Sequence, residues 1–267
     1  MKILMIAGSH PRHLYVVRKV AATGHLVGVV FMMREKLNCD VPEDIEPDLV
    51  QLYRHHFDLR AEMEDKYFGE VDEEFIRSIN HIFVDPTELN GRIVGDFIQK
   101  SGAEMLISYG PNLIRNNILE LVDGNALNLH GGLSPYYKGA ATMFWPFYFL
   151  EPNYVGTTLH YITSKIDAGR IVHQTVPELC KGDGMHEVAC KAIVKAAEEL
   201  SKIVINMGDG IIYEGVEQKK TGKLFLNKDW RSEHLRLIYE TYKDRIVDLY
   251  LDGKINKGNE PQLVTVI

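Results

Sequence analysis

The stretch Lys2-Ile3-Leu4-Met5-Ile6-Ala7-Gly8 is apolar almost throughout, and Ser9-His10-Pro11 breaks it. A helical stretch follows from about Arg12 to Thr23, and then Leu26-Val27-Gly28-Val29-Val30-Phe31-Met32 is apolar again. Short unbroken apolar runs without alternation, bounded by turn residues, read as strands buried on both faces, as in a parallel sheet. Gly24 supplies the stop for the helix between them. Strand, helix and strand in so short a span make a βαβ unit, which requires parallel strands and a right-handed crossover. The chain is therefore read as α/β, with a mostly parallel, twisted sheet.

The same grammar continues downstream. Within the polar, acidic stretch from Arg34 to Glu74, Val50 to Phe68 predicts an amphipathic helix. His81 to Val84 is a third strand, and Asp85-Pro86-Thr87 is read as opening a helix that runs to Ser101 and stops at Gly102. Glu104 to Tyr109 and Ala126 to His130 follow as strands, then Val155 to Ile162 and Arg170 to Val176. Asp183 is placed to cap a long helix ending near Met207, with Ala189, Ile193, Ala197, Leu200, Val204 and Met207 on one face. Beyond it come a short β segment, Lys223 to Leu226, and an amphipathic helix, Ser232 to Tyr242. Residues 1–207 are expected to form the catalytic domain, and residues 208–267 a short α/β appendage. Leu235, Ile238 and Tyr242 on the appendage are packing residues or the face of a homodimer.

Composition narrows the function. The chain has 267 residues, 45% of them hydrophobic, which is enough to build a core and excludes a disordered chain. Thirty basic against 37 acidic residues give a net charge of −7, which weighs against nucleic acid as a partner. No apolar run is long enough to span a membrane, and the first residues read as a strand instead of a signal peptide, so a cytoplasmic protein is expected. Cys39, Cys180 and Cys190 match neither a disulfide framework nor a zinc site and are read as buried or inert thiols. Lys219, Lys220 and Lys223 read as a solvated turn, and His55-His56 as a solvated helix face without metal-ligand spacing; no metal is expected. The first turn, Gly8-Ser9-His10-Pro11-Arg12-His13, lacks two of the three glycines of a dinucleotide fingerprint, which argues against a nicotinamide cofactor. It remains either a plain βα turn or a helix N-terminus that attracts an anion.

The chemistry is concentrated further on. In Asn125-Ala126-Leu127-Asn128-Leu129-His130-Gly131-Gly132-Leu133-Ser134-Pro135-Tyr136-Tyr137-Lys138-Gly139-Ala140-Ala141, Asn128 and His130 stand two residues apart at the end of a strand, on one face. Gly131 and Gly132 let the backbone turn sharply. Asp167, in Lys165-Ile166-Asp167-Ala168-Gly169-Arg170, lies in the loop between two later strands. An amide, an imidazole and a carboxylate meeting in one pocket suit acyl transfer to an amine. The amide and imidazole donate to the oxyanion, while the carboxylate orients the imidazole and helps remove the amine proton. Taken singly, each residue is an ordinary strand-end or turn residue; the ordered set points to catalysis. His160 and His173 alternate with apolar neighbours as sheet histidines, with His160 close enough to Asp167 to line the pocket, and Trp145 is read as core.

Asn-x-His followed by Leu and Pro, then Lys-Gly-Ala-Ala, Gly-Thr-Thr-Leu-His and Ile-Asp-Ala-Gly, in that order from about Met105 to Thr175, resembles the 10-formyltetrahydrofolate-dependent formyltransferases. The resemblance implies a Rossmann-like formyltransferase fold, with Asn128, His130 and Asp167 as catalytic residues. It implies a folate pocket around Ser108, Tyr109, Gly110, Leu113 and Ile114. One departure is Gly132-Leu133-Ser134-Pro135, where the family commonly has Ser-Leu-Leu-Pro. The tail, with Gly222-Lys223-Leu224-Phe225-Leu226 and Trp230, is similar to tails of members that formylate a nucleotide-linked 4-amino-4,6-dideoxy sugar for lipopolysaccharide O-antigen. By that likeness Ser9, His10 and Arg12 touch the acceptor's diphosphate, with Lys138 nearby. The competing readings are formylation of methionyl-tRNA or of another small amine, and a folate- or nucleotide-binding module without turnover.

Overall fold

A computed structural model describes residues 1–33, 40–70, 72–218, 222–255 and 258–267. The elements in chain order are β1 (Ile3–Gly8), α1 (Pro11–Ala21), β2 (Leu26–Met32), α2 (Val50–Phe68), α3 (Glu73–Ser78), β3 (His81–Val84), α4 (Arg92–Ser101), β4 (Met105–Tyr109), α5 (Asn116–Leu119), β5 (Ala126–His130), β6 (Tyr137–Gly139), α6 (Trp145–Tyr148), β7 (Thr157–Tyr161), β8 (Ile171–Thr175), α7 (Met185–Gly208), β9 (Lys223–Phe225) and α8 (Ile246–Leu251). Seven strands form one sheet in the order β3-β2-β1-β4-β5-β7-β8. The first five run parallel, and β7 and β8 close that edge as antiparallel pairs.

Strand order reverses at β1, which has β2 on one side and β4 on the other. In an open α/β sheet that switch point, at the carboxyl ends of the strands, is where a crevice opens. Alternation along the strands divides the side chains between two cores. Ile3, Met5, Val29, Phe31, Ile107, Leu127 and Leu129 face α1 and α7. Leu4, Ile6, Val30, Leu106 and Ala126 face α4 and α5. Ser108, Asn128 and His130 continue the second face by parity, past the end of its apolar layer. A third core joins Tyr137, Phe144, Trp145 and Phe147 to Phe225, Leu235, Ile238 and Val247, so the C-terminal segment is packed onto the loop that follows β5. There β9 pairs in parallel with β6. Trp145 stacks on Phe225 at 4.6 Å between ring centres.

Three local readings are corrected. Asp85-Pro86-Thr87 does not open a helix: Glu88 and Gly91 donate their N–H groups to Asp85 and Glu88 carbonyls in successive turns, and α4 starts at Arg92. The long helix is capped at Gly184, while the Asp183 carboxylate accepts from the Cys180 N–H and the Lys191 ammonium. Asp244 takes over the cap by accepting from the Met185 N–H at 3.0 Å. The stretch Ser232 to Tyr242 is not one α-helix but a 3₁₀ turn, Ser232–His234, followed by a π turn, Arg236–Thr241. Among the thiols, Cys190 is buried and Cys180 is exposed. Cys39, Lys219 and Lys220 lie outside the described residues.

Candidate active site

The loop from Ile162 to Arg170 does not project from the sheet edge. It folds back over the sheet face, which brings Asp167 to the side chains of β5. Asp167 holds a left-handed backbone at φ 44°. Its Oδ2 accepts the Gly139 N–H at 2.8 Å and lies 3.5 Å from His130 Nδ1. Its Oδ1 lies 3.5 Å from His160 Nε2. Gln218 fastens the loop from outside by donating to the Asp167 and Gly169 carbonyls at 2.8 and 2.7 Å.

Hydrogen-bond partners fix which atoms carry protons. His160 Nδ1 lies 2.8 Å from the Tyr161 carbonyl, which can only accept, so Nδ1 bears the hydrogen. His160 Nε2 then offers a lone pair to Asn128 Nδ2 at 3.3 Å. Ser108 Oγ donates to Asn128 Oδ1 at 2.8 Å. These two contacts set the orientation of the Asn128 amide. His130 Nε2 donates to the Tyr137 carbonyl at 3.2 Å, leaving Nδ1 facing Asp167. Beneath the ring, Gly132 leaves no room for a side chain: a Cβ there would stand 2.7 Å from His130 Nε2 and 2.6 Å from Thr142 Cβ.

The electrostatics separate the two partners. Burial pushes the His130 pKa down, and Asp167 opposes this only in part, so the imidazole rests neutral near pH 7. Burial would raise Asp167, but His130 and His160, once they take protons at low pH, and the Gly139 N–H outweigh it and hold the carboxyl at about 2. A fixed carboxylate thus sits beside a neutral imidazole that gains an N–H···O contact on taking a proton.

This cluster opens on a cleft of about 810 Å³. Ser108, Tyr109, Gly110, Leu113 and Ile114 all line it, as do Asn128, His130, Asp167 and Arg12. Ser108 is 1% exposed and its hydroxyl is committed to Asn128, so it positions that amide. Leu113 and Ile166 line the cleft yet stay 55% and 51% exposed, a pair of apolar side chains suited to gripping a flat aromatic group. Ser9, His10 and Lys138, expected around the acceptor, are not among the residues that line this cleft. His10 is buried with Nδ1 3.1 Å from Arg12, and Lys138 belongs to the β6–β9 pair.

The sequence reading missed the far end of the cleft. His56 is not on a solvated face: it is 6% exposed, 2.8 Å from the Tyr239 hydroxyl and 3.3 Å from His186. Burial lowers both histidines, His186 to about 3. One helical turn on, Arg60 donates to Glu64 at 2.9 Å, and Arg12 reaches the same oxygen at 2.8 Å. The spacing of His56, Arg60 and Glu64 along α2 was a visible signal, but nothing local showed that this stripe faces inward.

Ser108→Ala should lower kcat about five- to tenfold, as expected when a hydrogen bond of about 1 kcal/mol that orients Asn128 is lost. KM for the donor should change little; an unaltered kcat would show that Asn128 does not depend on it.

A family model described as formyl transferase matches residues 62–204, more than half of the chain. Among solved structures, glycinamide ribonucleotide transformylase 1 from Symbiobacterium toebii is 16% identical with a TM-score of 0.55, covering 82% of this chain and 93% of that one. A 4-N formyltransferase from Francisella tularensis is 16% identical with a TM-score of 0.57, covering 86% and 78%. The formyltransferase PseJ from Anoxybacillus kamchatkensis, solved with UDP-4,6-dideoxy-4-formamido-L-AltNAc and tetrahydrofolate, is 20% identical with a TM-score of 0.51, covering 83% and 97%. At these identities the likenesses establish a shared fold.

Proposed function

The chain belongs to the formyl transferase family, and from that premise we propose that it transfers a formyl group from 10-formyltetrahydrofolate to the amino group of a nucleotide-linked 4-amino-4,6-dideoxy sugar, of the kind used in lipopolysaccharide O-antigen. In this reading residues 1–207 form the catalytic unit and residues 208–267 complete its acceptor end. The bound donor supplies a formyl carbonyl open to attack by the acceptor amine. A C–N bond to the acceptor forms and the bond from the formyl carbon to the folate nitrogen breaks; the proton that leaves the acceptor amine for the protein is matched by one that the departing folate nitrogen takes up.

Asn128 Nδ2–H and His130 Nε2–H donate to the formyl oxygen as it gains charge. To do so His130 gives up its 3.2 Å contact with the Tyr137 carbonyl, a weak bond at that length. Asp167 holds His130 and favours its charged form, and its second oxygen or an intervening water draws off the amine proton. Leu113 and Ile166 hold the folate ring and exclude water there. The observation that carries the reading is the convergence of Asn128, His130 and Asp167, from two separate segments, on one cleft that continues to a cationic end at Arg12 and Arg60.

The test is formyl transfer followed by mass spectrometry, with 10-formyltetrahydrofolate and a panel of dTDP-, UDP- and GDP-linked amino sugars. One acceptor is expected to gain a single formyl group. Folate binding without modification of any sugar would leave the family assignment standing and remove the acceptor.

A further inference from the structure

The cleft extends well past the catalytic trio. It is also lined by aromatic side chains from three separate places in the chain: Phe57 on α2, Phe144 before α6, and Trp230 in the C-terminal segment. Trp230 meets Phe57 at 6.2 Å and 63° between rings, and Phe144 at 6.0 Å and 73°. These edge-to-face contacts hold the indole upright, while the ring stays only part-buried at the cleft. Arg12 and Arg60, which share the Glu64 carboxylate, line the same cleft. Asn227 also lines this end, and its side-chain amide makes no hydrogen bond among the described residues.

An aromatic corner that is merely core would be closed to solvent, as Trp145 is at 3% exposed. This one opens on a cleft that two guanidiniums and an amide also line. Those are the elements needed to take a flat heteroaromatic ring joined to a phosphate: a face for stacking, a cationic pair for the anion, and a donor–acceptor group for the ring edge. We infer that the nucleobase of the acceptor rests against Trp230 and Phe57, with its phosphates toward Arg12 and Arg60, an assignment that depends on the acceptor being nucleotide-linked. The phosphates thereby lie on α1 and α2 within the cleft. Specificity for the nucleotide then resides in α2 and the C-terminal segment, outside the strands that hold the catalytic groups.

The probes are UDP, dTDP and inorganic pyrophosphate, titrated by calorimetry into the wild-type protein, Trp230→Leu and Phe57→Ala. Each variant is checked for retained tetrahydrofolate binding. Loss of a stacking ring should weaken the nucleoside diphosphates about tenfold or more and leave pyrophosphate unchanged. The chain has two tryptophans. Since Trp145 is in the core, nucleotide binding should also quench fluorescence that Trp230→Leu abolishes. Unchanged affinity for UDP and dTDP in both variants, or an equal loss for pyrophosphate, overturns the inference while a nucleotide-linked acceptor stands. If the wild-type protein binds tetrahydrofolate but no nucleoside diphosphate, the nucleotide-linked acceptor itself is lost, and this assignment with it.

Discussion

Replacing Asp167 by asparagine should reduce kcat about a thousandfold and leave the fold intact. The side chain keeps its size, so it can still accept the Gly139 N–H through its amide oxygen. Asparagine also tolerates the left-handed backbone that Asp167 adopts, which makes Asn a better test than Ala. What is removed is the charge that, in the proposed mechanism, stabilises a protonated His130 and receives the amine proton. General acid–base assistance is worth about 10²–10⁴-fold, and charge stabilisation falls on the same step. The loss should appear in kcat, with little change in KM for 10-formyltetrahydrofolate, because in the proposed mechanism Asp167 acts on the reacting atoms. Since the carboxyl is held at about 2, the wild-type enzyme should show no acidic limb from this group above pH 4. A variant within a few-fold of wild type would end this role for Asp167.

The largest effect on stability is expected from Glu64→Gln. Glu64 is buried between Arg12 and Arg60, and breaking a buried ion cluster by removing one partner costs about 3–5 kcal/mol. In a chain of this size that is a fall in Tm of roughly 10 °C at pH 7. Burial acts to raise the Glu64 pKa, but His10, Arg12 and Arg60 overcome it and drive it well below the carboxylate range. An acid with a depressed folded pKa stabilises fully above its unfolded value, near 4.5, and loses that contribution as pH falls toward the folded value. The difference in Tm between wild type and Glu64→Gln should therefore be widest above about pH 5.5 and narrow below pH 4.5. A difference that stays constant from pH 7 to pH 3.5 would mean that Glu64 contributes by shape and not by charge.

The sheet was legible because its strands are short apolar runs punctuated by Gly, Pro and Asp. β2, β3 and β5 begin and end where the pattern of residues places them, and α2 spans the stretch Val50–Phe68 that its periodicity outlines. Local propensity failed where distant groups decide the backbone. Asp183 looks like a helix cap, but the cap is made by Asp244 from far along the chain. Ser232 to Tyr242 has an α-helical pattern, but it packs as a 3₁₀ turn and a π turn against the third core.

The candidate site divides in the same way. Asn128, His130 and Asp167 stand in short, ordered motifs that carry their chemistry in their spacing. The wall formed by His56, Arg60, Glu64 and Trp230 does not, because the inward orientation of α2 depends on α7 and the C-terminal segment packing behind it. Ser9, His10 and Lys138 were placed by analogy with a turn and a loop. In the fold His10 lies against the Arg12–Glu64 cluster, and Lys138 stands on the strand that pairs with β9.

The parallel pairing of β6 with β9 also governs the order in which the molecule can be assembled on a ribosome. The Gly139 N–H that orients Asp167 belongs to a strand whose partner, Lys223–Phe225, is synthesised only after the whole of α7. Gln218, which fastens the Asp167 loop, is likewise made late. A nascent chain halted after β8 can pair every strand of the large sheet, yet it lacks β9, which braces the strand of Gly139, and Gln218, whose side chain fastens the Asp167 loop. Such a chain would acquire structure well before it acquires chemistry, and the tail would act as the final step of its maturation.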